Sequence, residues 1–442
     1  VHYLSGANGD LTFALLSDGV DAAQENLATD APLLELAVER IGQLNLRHGP
    51  GPAGDRFLFL HRRRLFNPGE KAWMGWERKR GKLHELNRLL RGATDTSFMP
   101  LAGVAPRVPT DVRYVITLDA DTRLTRDAAL RLVGKMAHPL NRPRFADTGQ
   151  RVTSGYAILQ PRVTPSLPLG RDGSLYQRVF SGPGGTDPYA TTVSDVYQDL
   201  FAEGSYIGKG IYEVDSFEAS LAGRIRENTL LSHDLFEGIF ARSGLVADIE
   251  VVEDFPPRYD VAAKRQHRWM RGDWQLLPAI LRRSRQGRSI SLLGRWKMLD
   301  NLRRSMLAPA TVLALGLCCM LPLGIGSLAA LMVISTIAVP ALLPVLLDVV
   351  PRHGGIRLRS HFSYLFGQLQ LSLARIALSL IFLADQAWRA ADAAIRTLVR
   401  LCFTRRHLLE WTTAARSLAG PRLDVPGFQR QMSGGAALTL AM

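Results

Sequence analysis

The amino-acid sequence predicts an α/β domain with a mainly parallel sheet, followed by transmembrane helices. Over the first ~285 residues, short β-branched or aromatic runs alternate with helix-period stretches, as in parallel α/β folds. Residues 307–350 then contain no Lys, Arg or Glu, and Asp348 is the single acid there. A chain of 442 residues has room for two or three domains with buried cores.

The composition excludes a disordered chain and favours an anionic partner. Hydrophobic residues make up 47% of the chain and charged residues 21%. The formal net charge of +14 favours nucleotide phosphates, anionic lipid or nucleic acid. Cys318, Cys319 and Cys402 lie in or beside apolar stretches and have neither the number for a disulfide framework nor the spacing of a zinc site. A reducing compartment is the simpler interpretation.

Both ends of the sequence suggest a fragment. VHYL, which starts at Val1, resembles the end of a strand, and the sequence stops at SGGAALTLAM. We therefore expect the first strand to be truncated, and the lack of a signal peptide then carries no information.

Two predicted strands lead into acidic residues. The run LTFALLSD ends at Asp18, with Asp21 just beyond it, and these acids suit either a base or ribose contact or a solvated turn. The run YVITL is followed at once by Asp119 and Asp121, a D-x-D pair that can share a divalent cation and so neutralise a diphosphate. Two loop acids at this spacing are also common. Ligands of parallel α/β sheets bind beyond the carboxyl ends of the strands, where both pairs are expected.

Three further stretches carry cations, glycines or aromatic rings. In WERKRGKLHELNRLL, Lys79 and its basic neighbours are typical of a phosphate site at a helix start, or of a solvated basic face. In EGSYIGKGIY, Gly208 and Gly210 allow the backbone to approach a sugar or simply form turns, and their spacing excludes a P-loop and a dinucleotide fingerprint. In KRQHRWMRGDWQLL, Arg268 and Trp269 suit a diphosphate and a sugar ring.

The stretch KRQHRWMRGDWQLL also allows a different interpretation. Mixed basic and aromatic residues also bind nucleic acid, but no nucleic-acid module surrounds them and the apolar run argues against one.

The segment ENTLLSHDLFEG, residues 227–238, places Asp234 in a helix-like run, where it is either a solvated charge or a proton acceptor.

The apolar part of the chain predicts membrane helices. The run 307–350 is about twice the ~20 residues needed to cross a bilayer, and PLGIGS divides it, which favours two transmembrane helices over one buried hairpin. A further apolar stretch, 362–387, either spans the membrane or lies along its surface. It carries Gln368, Gln370, Arg375 and Asp385.

The segment before the apolar run has an amphipathic pattern. It places Leu292, Trp296, Leu299 and Leu302 near one helical face and leaves Arg295, Lys297, Arg303 and Arg304 as a basic remainder. This pattern is typical of an interfacial helix on an anionic leaflet, or of an ordinary surface helix. The positive-inside rule places the α/β domain and the basic loop 351–361 in the cytoplasm. The basic segment 389–406 belongs there too, so either 362–387 does not cross simply or a fourth span lies near 388–403.

Taken in order, these stretches resemble processive family-2-like glycosyltransferases of the GT-A fold, including the cellulose and hyaluronan synthases. The amino-acid sequence of the motifs resembles more closely the glycosyltransferase region of cyclic β-1,2-glucan synthases, over about residues 1–415. The motifs that carry this resemblance are WMGWERKRGKLHELNRLLRG, EGSYIGKGIYEVDSFE, ENTLLSHDLFEG, RWMRGDWQ and FTRRHLLEWTTA. Members of that family are large inner-membrane proteins of Gram-negative bacteria that use UDP-glucose. They also carry a glycoside-phosphorylase-like region, which this sequence lacks.

The resemblance implies a role for each matching residue. Those that contact the nucleotide sugar would be Asp18, Asp21, Lys79, Asp119, Arg268 and Trp269. Asp119 and Asp121 would hold Mg²⁺ or Mn²⁺, Gly208, Gly210 and Trp269 would contact a β-1,2-glucan acceptor, and Asp234 would be the general base.

Three departures from the family pattern qualify these roles. The tripeptide is Ser232-His233-Asp234, which retains only the final acid of Thr-Glu-Asp. Arg265 stands where Gln begins the Gln-x-x-Arg-Trp motif, and Gly19 stands where a bulkier residue is expected.

The resulting domain prediction has four parts. Residues 1–285 form a cytoplasmic GT-A-like domain, 286–306 a basic interfacial helix, 307–403 a membrane region of two to four helices, and 404–442 a C-terminal segment. A cellulose- or hyaluronan-type synthase and a catalytically silent membrane scaffold are the alternative functions, and a nucleic-acid-binding protein ranks last.

Overall fold

The computed structural model describes residues 2–6, 9–146, 151–166, 173–181, 195–281, 290–350, 357–411 and 424–440. The strands are β1 Phe13–Asp18, β2 Phe57–Arg62, β3 Leu65–Asn67, β4 Ala72–Met74, β5 Tyr114–Thr117, β6 Thr122–Leu124, β7 Arg144–Phe145, β8 Val152–Ser154, β9 Ile158–Pro165, β10 Gly210–Glu213 and β11 Ser243–Glu253. The helices are α1 Asp30–His48, α2 Arg78–Leu89, α3 Ala128–Ala137, α4 Leu175–Phe180, α5 Val196–Phe201, α6 Val214–Leu221, α7 Asp234–Phe240, α8 Tyr259–Gln275, α9 Leu277–Leu281, α10 Leu292–Ser305, α11 Leu307–Cys319, α12 Leu323–Leu347, α13 Leu358–Val399 and α14 Val425–Leu440.

The central sheet is mixed. Within the described ranges it has five strands in the order β5-β10-β9-β11-β6. Strand β10 is antiparallel to β5 and β9, and β11 is antiparallel to β6, so only the β9–β11 pairing is parallel. The prediction of an α/β fold is therefore confirmed, and that of a mainly parallel sheet is wrong.

The connection from β9 to β10 shows why the direction differs. A parallel return needs a crossover of a dozen or more residues, usually a helix that covers one face of the sheet. The described part of this connection contains α4 and α5, which have six residues each and form no such cover. Apolar runs predict that strands exist, but the pattern inside a run carries no information on strand direction.

A separate parallel pair, β1 and β2, supports the start of α2. Its strands are joined through α1, and Asp18 pairs with Arg62 at the end of the register. Arg62 is fully buried and donates to Asp18 Oδ1 at 2.7 Å and to Glu85 Oε2 at 2.8 Å. Since a buried charge is tolerated only when paired, this arginine fixes α2 against the end of β1.

The main core lies between α3 and the central sheet. Apolar side chains of α3, among them Leu132 and Met136, pack on Leu159 of β9 and on Ile249 and Val251 of β11. This packing buries one face of the sheet, so the strand ends that carry polar residues are held at a fixed edge.

Two described helices are long and apolar enough to cross a membrane, Leu323–Leu347 and the helix beginning at Leu358 that extends to Thr404. The bent pair α10–α11 makes a third candidate if it is counted as one span. The 42 residues of α13 correspond to about 63 Å of helix, roughly twice the ~30 Å hydrocarbon core. This helix is thus long enough to span a bilayer and still extend well beyond it.

Polar residues of α13 form hydrogen bonds with residues of the α/β domain. Arg375 donates to the carbonyl oxygen of Val179 at 2.9 Å, and Asp385 accepts a hydrogen bond from Tyr259 at 2.6 Å. The ring of Tyr259 also stacks on Phe382. Residues 388–399, where a fourth span was one alternative, continue the same helix. Arg352, part of the predicted cytoplasmic loop, lies outside the described residues.

Helix α10 differs in part from the predicted amphipathic pattern. Leu292, Trp296 and Leu299 are exposed, which fits an outward apolar face, but Leu302 is buried. Lys297, expected in the exposed basic remainder, is also buried and donates to the carbonyl oxygens of Glu203 and Gly204, each at 2.8 Å. A long side chain can place its ammonium group among carbonyl oxygens of another element, and helical periodicity does not reveal such a partner.

Candidate active site

Most of the predicted site residues line one cleft beyond the ends of β1 and β5. The cavity volume is about 2660 Å³. The predicted residues along its wall are Asp18, Lys79, Asp119, Asp121, Asp234, Arg268 and Trp269. Residues far apart in sequence therefore meet in one place. Asp21 and the two glycines of the Gly-Lys-Gly segment stand beside this wall rather than on it.

The acids after β1 are held by cations. Asp18 is bound by Arg62 and, at 3.0 Å, by Lys82. Burial acts to raise the pKa of Asp18, but these two cations outweigh it and lower the pKa. Asp21 receives both guanidinium branches of Arg78, at 2.5 and 2.6 Å. Both carboxylates are thus held in fixed positions by cations.

Asp119 lies between two lysine ammonium groups. Lys79 Nζ is 2.5 Å from Asp119 Oδ1, and Lys209 Nζ is 3.3 Å from Oδ2. Burial acts to raise the pKa of Asp119, but the two lysines outweigh it and lower the pKa to about 2. Lys79 also donates to the carbonyl oxygen of Gly208 at 2.8 Å, which ties α2 to the glycine segment.

Lys209 and Glu253 are site residues that the sequence did not reveal. Lys209 Nζ is 2.7 Å from Glu253 Oε2, and Arg265 donates to Glu253 Oε1 at 3.0 Å. Glu253 ends β11 and pairs in register with Thr122 of β6, directly after Asp121. No local motif marks Glu253, because the antiparallel pairing of β11 with β6 alone brings it beside the D-x-D pair.

The D-x-D residues fit a hard divalent cation. Asp119 and Asp121 offer carboxylate oxygens, which Mg²⁺ and Mn²⁺ prefer as ligands. Burial and the neighbouring charge of Glu253 raise the pKa of Asp121. No ion pair joins Asp121 to a cation within the described residues, so its carboxylate is the one of the D-x-D pair that a divalent cation could bind without displacing an ammonium group.

Asp234 begins α7 and has an oxygen free to accept a proton. Among the described residues, its Oδ1 atom is buried without a hydrogen-bond partner. His233 Nδ1 is 3.5 Å from Oδ1, but its closer partner is Glu237 Oε1 at 2.9 Å. His233 and Glu237 are both buried, so they form a polar support behind the Asp234 side chain.

Gly208 brings the D-x-D edge and Asp234 together. Its φ of 83° is in the left-handed region, and a Cβ there would lie 2.6 Å from Asp234 Oδ1. The close approach of the two residues thus requires glycine. Glycine is required at position 210 for a different reason, because a Cβ on Gly210 would meet the carbonyl oxygen of Leu159 in the adjoining strand β9. Its conformation is explained by sheet packing.

The Arg-Trp helix, α8, forms another wall of the cleft. The Arg265 guanidinium lies 4.9 Å from the Trp269 ring centroid, and the Arg268 guanidinium lies 5.1 Å from that of Trp411. Burial and nearby Arg265 lower the pKa of Arg268 to about 10, so this arginine stays charged at neutral pH.

A segment after α13 returns to the cleft and carries Trp411. Arg78 donates to the carbonyl oxygen of Leu409 at 3.1 Å, and Gln275 donates to that of Leu408 at 2.8 Å. Guanidinium groups of α2 and α8 both approach Trp411, since the Arg78 guanidinium also lies 5.9 Å from its ring. The motif FTRRHLLEWTTA was a point of resemblance without an assigned role. Its described part is a component of the cleft.

The fold and the cleft define a class: a mixed α/β domain with a D-x-D pair in a large cleft, joined to long apolar helices. Among curated proteins, this chain is similar to "Cyclic beta-(1,2)-glucan synthase NdvB" of Rhizobium meliloti (strain 1021), with 48% identity over 442 residues. The match covers 100% of this chain and 15% of that protein, so the chain spans about 15% of the length of the curated relative. The resemblance to a region of such a synthase is thereby confirmed. No family model matches the chain.

Proposed function

We propose that this chain is the glycosyltransferase region of a membrane-bound cyclic β-1,2-glucan synthase, which transfers glucose from UDP-glucose to a growing β-1,2-glucan with inversion. One observation carries the proposal: the unpartnered oxygen of Asp234 lies against Gly208, whose carbonyl oxygen binds the same Lys79 that pairs with Asp119. A proton acceptor and a group of cations suited to a diphosphate therefore share one cleft. The similarity to a named glucan synthase supports the choice of reaction.

The donor site would use the residues at the ends of β1 and β5. Asp18 and Asp21, each fixed by arginine, would bind the uridine part. Lys79 and Arg268 would bind the diphosphate, because both are cations that line the same cleft. Their charges stabilise the negative charge that develops on the departing diphosphate.

Asp119 and Asp121 would hold Mg²⁺ or Mn²⁺. When bound, that cation supplies neutralising charge to the diphosphate. The two carboxylates come from the short connection between β5 and β6, so the sheet itself fixes their spacing.

Asp234 would remove the proton from the acceptor hydroxyl group. The oxygen of that hydroxyl attacks the anomeric carbon from the side opposite the diphosphate, which inverts the configuration, and the proton passes to Asp234. One carboxylate is sufficient for this step, whereas a glycosidase needs two. Trp269 offers an indole face to a sugar ring of the acceptor, and the segment Gly208–Gly210 lies next to the base.

The membrane region would keep the α/β domain on the cytoplasmic side of a bacterial inner membrane. The two long apolar helices support membrane association. On α10, the exposed Leu292, Trp296 and Leu299 support contact with lipid in the interfacial part of the chain. Residues 1–285 would then act on cytoplasmic UDP-glucose.

The decisive experiment is glucose incorporation by membranes that carry the complete synthase. Membranes receive labelled UDP-glucose with Mg²⁺ or Mn²⁺, and the glycosidic linkage of the product is determined. A β-1,2-linked product that requires Asp234 is expected. A β-1,4-linked product, or one of the hyaluronan type, would replace the proposal with a different processive synthase. Unaltered UDP-glucose would point to a silent scaffold.

A further inference from the structure

We infer that Lys209 is an internal cation of the D-x-D site: in the donor-free protein it pairs with Asp119, a carboxylate that the divalent cation needs, and it turns to the diphosphate when the donor binds. This inference rests on the proposed donor and metal site. It adds a residue, Lys209, to which neither the sequence motifs nor the similarity to the glucan synthase assigns a role.

The position of Lys209 follows from the sheet. Gly210 pairs with Thr117 in the antiparallel register of β10 and β5, so Lys209 lies opposite the residues that lead from Thr117 to Asp119. Glu253 reaches the same place from β11. Three strands thus converge on one ammonium group, and only 7% of the Lys209 side chain is exposed.

The contacts of Lys209 are those of a cation shared by carboxylates. Its Nζ atom binds Glu253 Oε2 at 2.7 Å and lies 3.3 Å from Asp119 Oδ2. Lys79 holds the other oxygen of Asp119, so both Asp119 oxygens face an ammonium group. A divalent cation at Asp119 must therefore displace one ammonium group or tolerate its repulsion.

The unequal lengths of these contacts indicate which group gives way. Lys79 is held close to Asp119, at 2.5 Å, and is also fixed by the carbonyl oxygen of Gly208. Lys209 has the longer contact to Asp119 and keeps a second carboxylate partner in Glu253. It can leave Asp119 without becoming an unpaired buried charge, which would be costly.

The consequence is coupling between donor and cation. With the cleft empty, repulsion by Lys209 weakens binding of the divalent cation. With a diphosphate present, the ammonium group has an anionic oxygen to bind, and Asp119 is released. Since coupling between two ligands is reciprocal, UDP should strengthen Mn²⁺ binding by the same factor by which Mn²⁺ strengthens UDP binding.

The test measures Mn²⁺ affinity by electron paramagnetic resonance in the purified complete synthase, without UDP-glucose and without turnover. Lys209→Met should raise Mn²⁺ affinity in the absence of UDP by about tenfold or more, because a nearby positive charge has been removed. The same variant should reduce the enhancement of Mn²⁺ binding by UDP. Lys209→Gln keeps a hydrogen-bond donor for Glu253 and should behave likewise if the Met variant fails to fold. Lys209→Arg should resemble the unmodified protein.

Lys82→Met is the matched control. It removes one ammonium group from the same cleft, but that group pairs with Asp18 at 3.0 Å and not with Asp119. An equal gain in Mn²⁺ affinity in this control would overturn the inference, since it would reflect total charge only. Unchanged or weaker Mn²⁺ binding in both folded Lys209 variants would also overturn it, with the proposed reaction untouched. Mn²⁺ binding that does not depend on Asp121 would reject the metal site itself, and the inference with it.

Discussion

The D-x-D edge and the Asp234 corner are two acidic regions of one cleft with opposite arrangements of charge. At the edge, each oxygen of Asp119 has an ammonium partner, and Glu253 is bound by Lys209 and Arg265. At the corner, Oδ1 of Asp234 is buried without a hydrogen-bond partner within the described chain, and His233 Nδ1 lies 3.5 Å from it. The two regions are joined through Gly208, whose carbonyl oxygen binds Lys79 and whose α-carbon lies against Asp234.

The difference separates binding from proton transfer. Residues that bind a diphosphate and its cation gain from fixed counter-ions, because the site is then organised before the ligand arrives. A general base gains from an oxygen that nothing else occupies, because a proton must reach it within hydrogen-bond distance. Substitutions at the corner should therefore change the rate of reaction, and substitutions at the edge should change affinity as well.

The largest effect is expected for Asp234→Asn. The amide cannot accept the acceptor proton, so glucose incorporation should fall by about 10²–10⁴-fold while UDP binding is retained. Incorporation of labelled glucose and UDP affinity are measured on the same membranes. Asp95→Asn, at an exposed acid paired with Arg88, is the control and should leave both quantities unchanged. Normal polymer formation by Asp234→Asn would remove the base assignment.

Asp121→Ala should weaken binding and turnover together. Loss of a cation ligand should lower incorporation by on the order of 100-fold and reduce Mn²⁺ affinity, and excess Mn²⁺ should restore part of the activity. Titration of Mn²⁺ in the presence and absence of UDP distinguishes this variant from Asp234→Asn. If Asp121→Ala lowers the rate with Mn²⁺ and UDP affinities unchanged, the contrast between edge and corner is wrong.

Gly208→Ala tests the junction between the two regions. Its Cβ would meet Asp234 Oδ1 at a positive φ, so the base is displaced, and a shift of about 1 Å costs roughly 10²-fold in rate. We expect kcat for glucose transfer to fall with little change in Mn²⁺ affinity. Gly134→Ala, in α3 with open space around its α-carbon, is the matched control and should leave kcat unchanged. Full activity of Gly208→Ala would show that the two residues do not constrain each other.

The smallest effect is expected outside both regions, where α13 meets α8. Tyr259→Phe removes the hydrogen bond to Asp385 and keeps the stacking on Phe382, at a cost of about 1.5–3 kcal/mol in the free energy of unfolding. Thermal unfolding in detergent measures this loss of stability. Tyr364→Phe, at an exposed position on α13, should have no effect. An unchanged unfolding temperature for Tyr259→Phe would mean that this junction does not hold α8 in place.

Much of the cleft was accessible from the sequence because its acids follow apolar runs. Asp18 and Asp119 end strand patterns, and both line the same cleft, although β1 and β5 belong to different sheets within the described residues. Lys209 was visible only as a residue between two glycines. Glu253 had no signal at all, since its neighbours in sequence are unrelated to its neighbours in space.

The sequence by itself determined the α/β character, the order of the motifs and the position of the apolar run, because each follows from side-chain periodicity or local composition. Only the tertiary structure decided the direction of the strands, because pairing joins segments that are distant in sequence. It also decided that Lys297 is buried and that Asp385 binds Tyr259, since a buried polar group needs a partner and another element supplies one in both cases. For the same reason, the free oxygen of Asp234 and the paired oxygens of Asp119 could be told apart only in the folded chain.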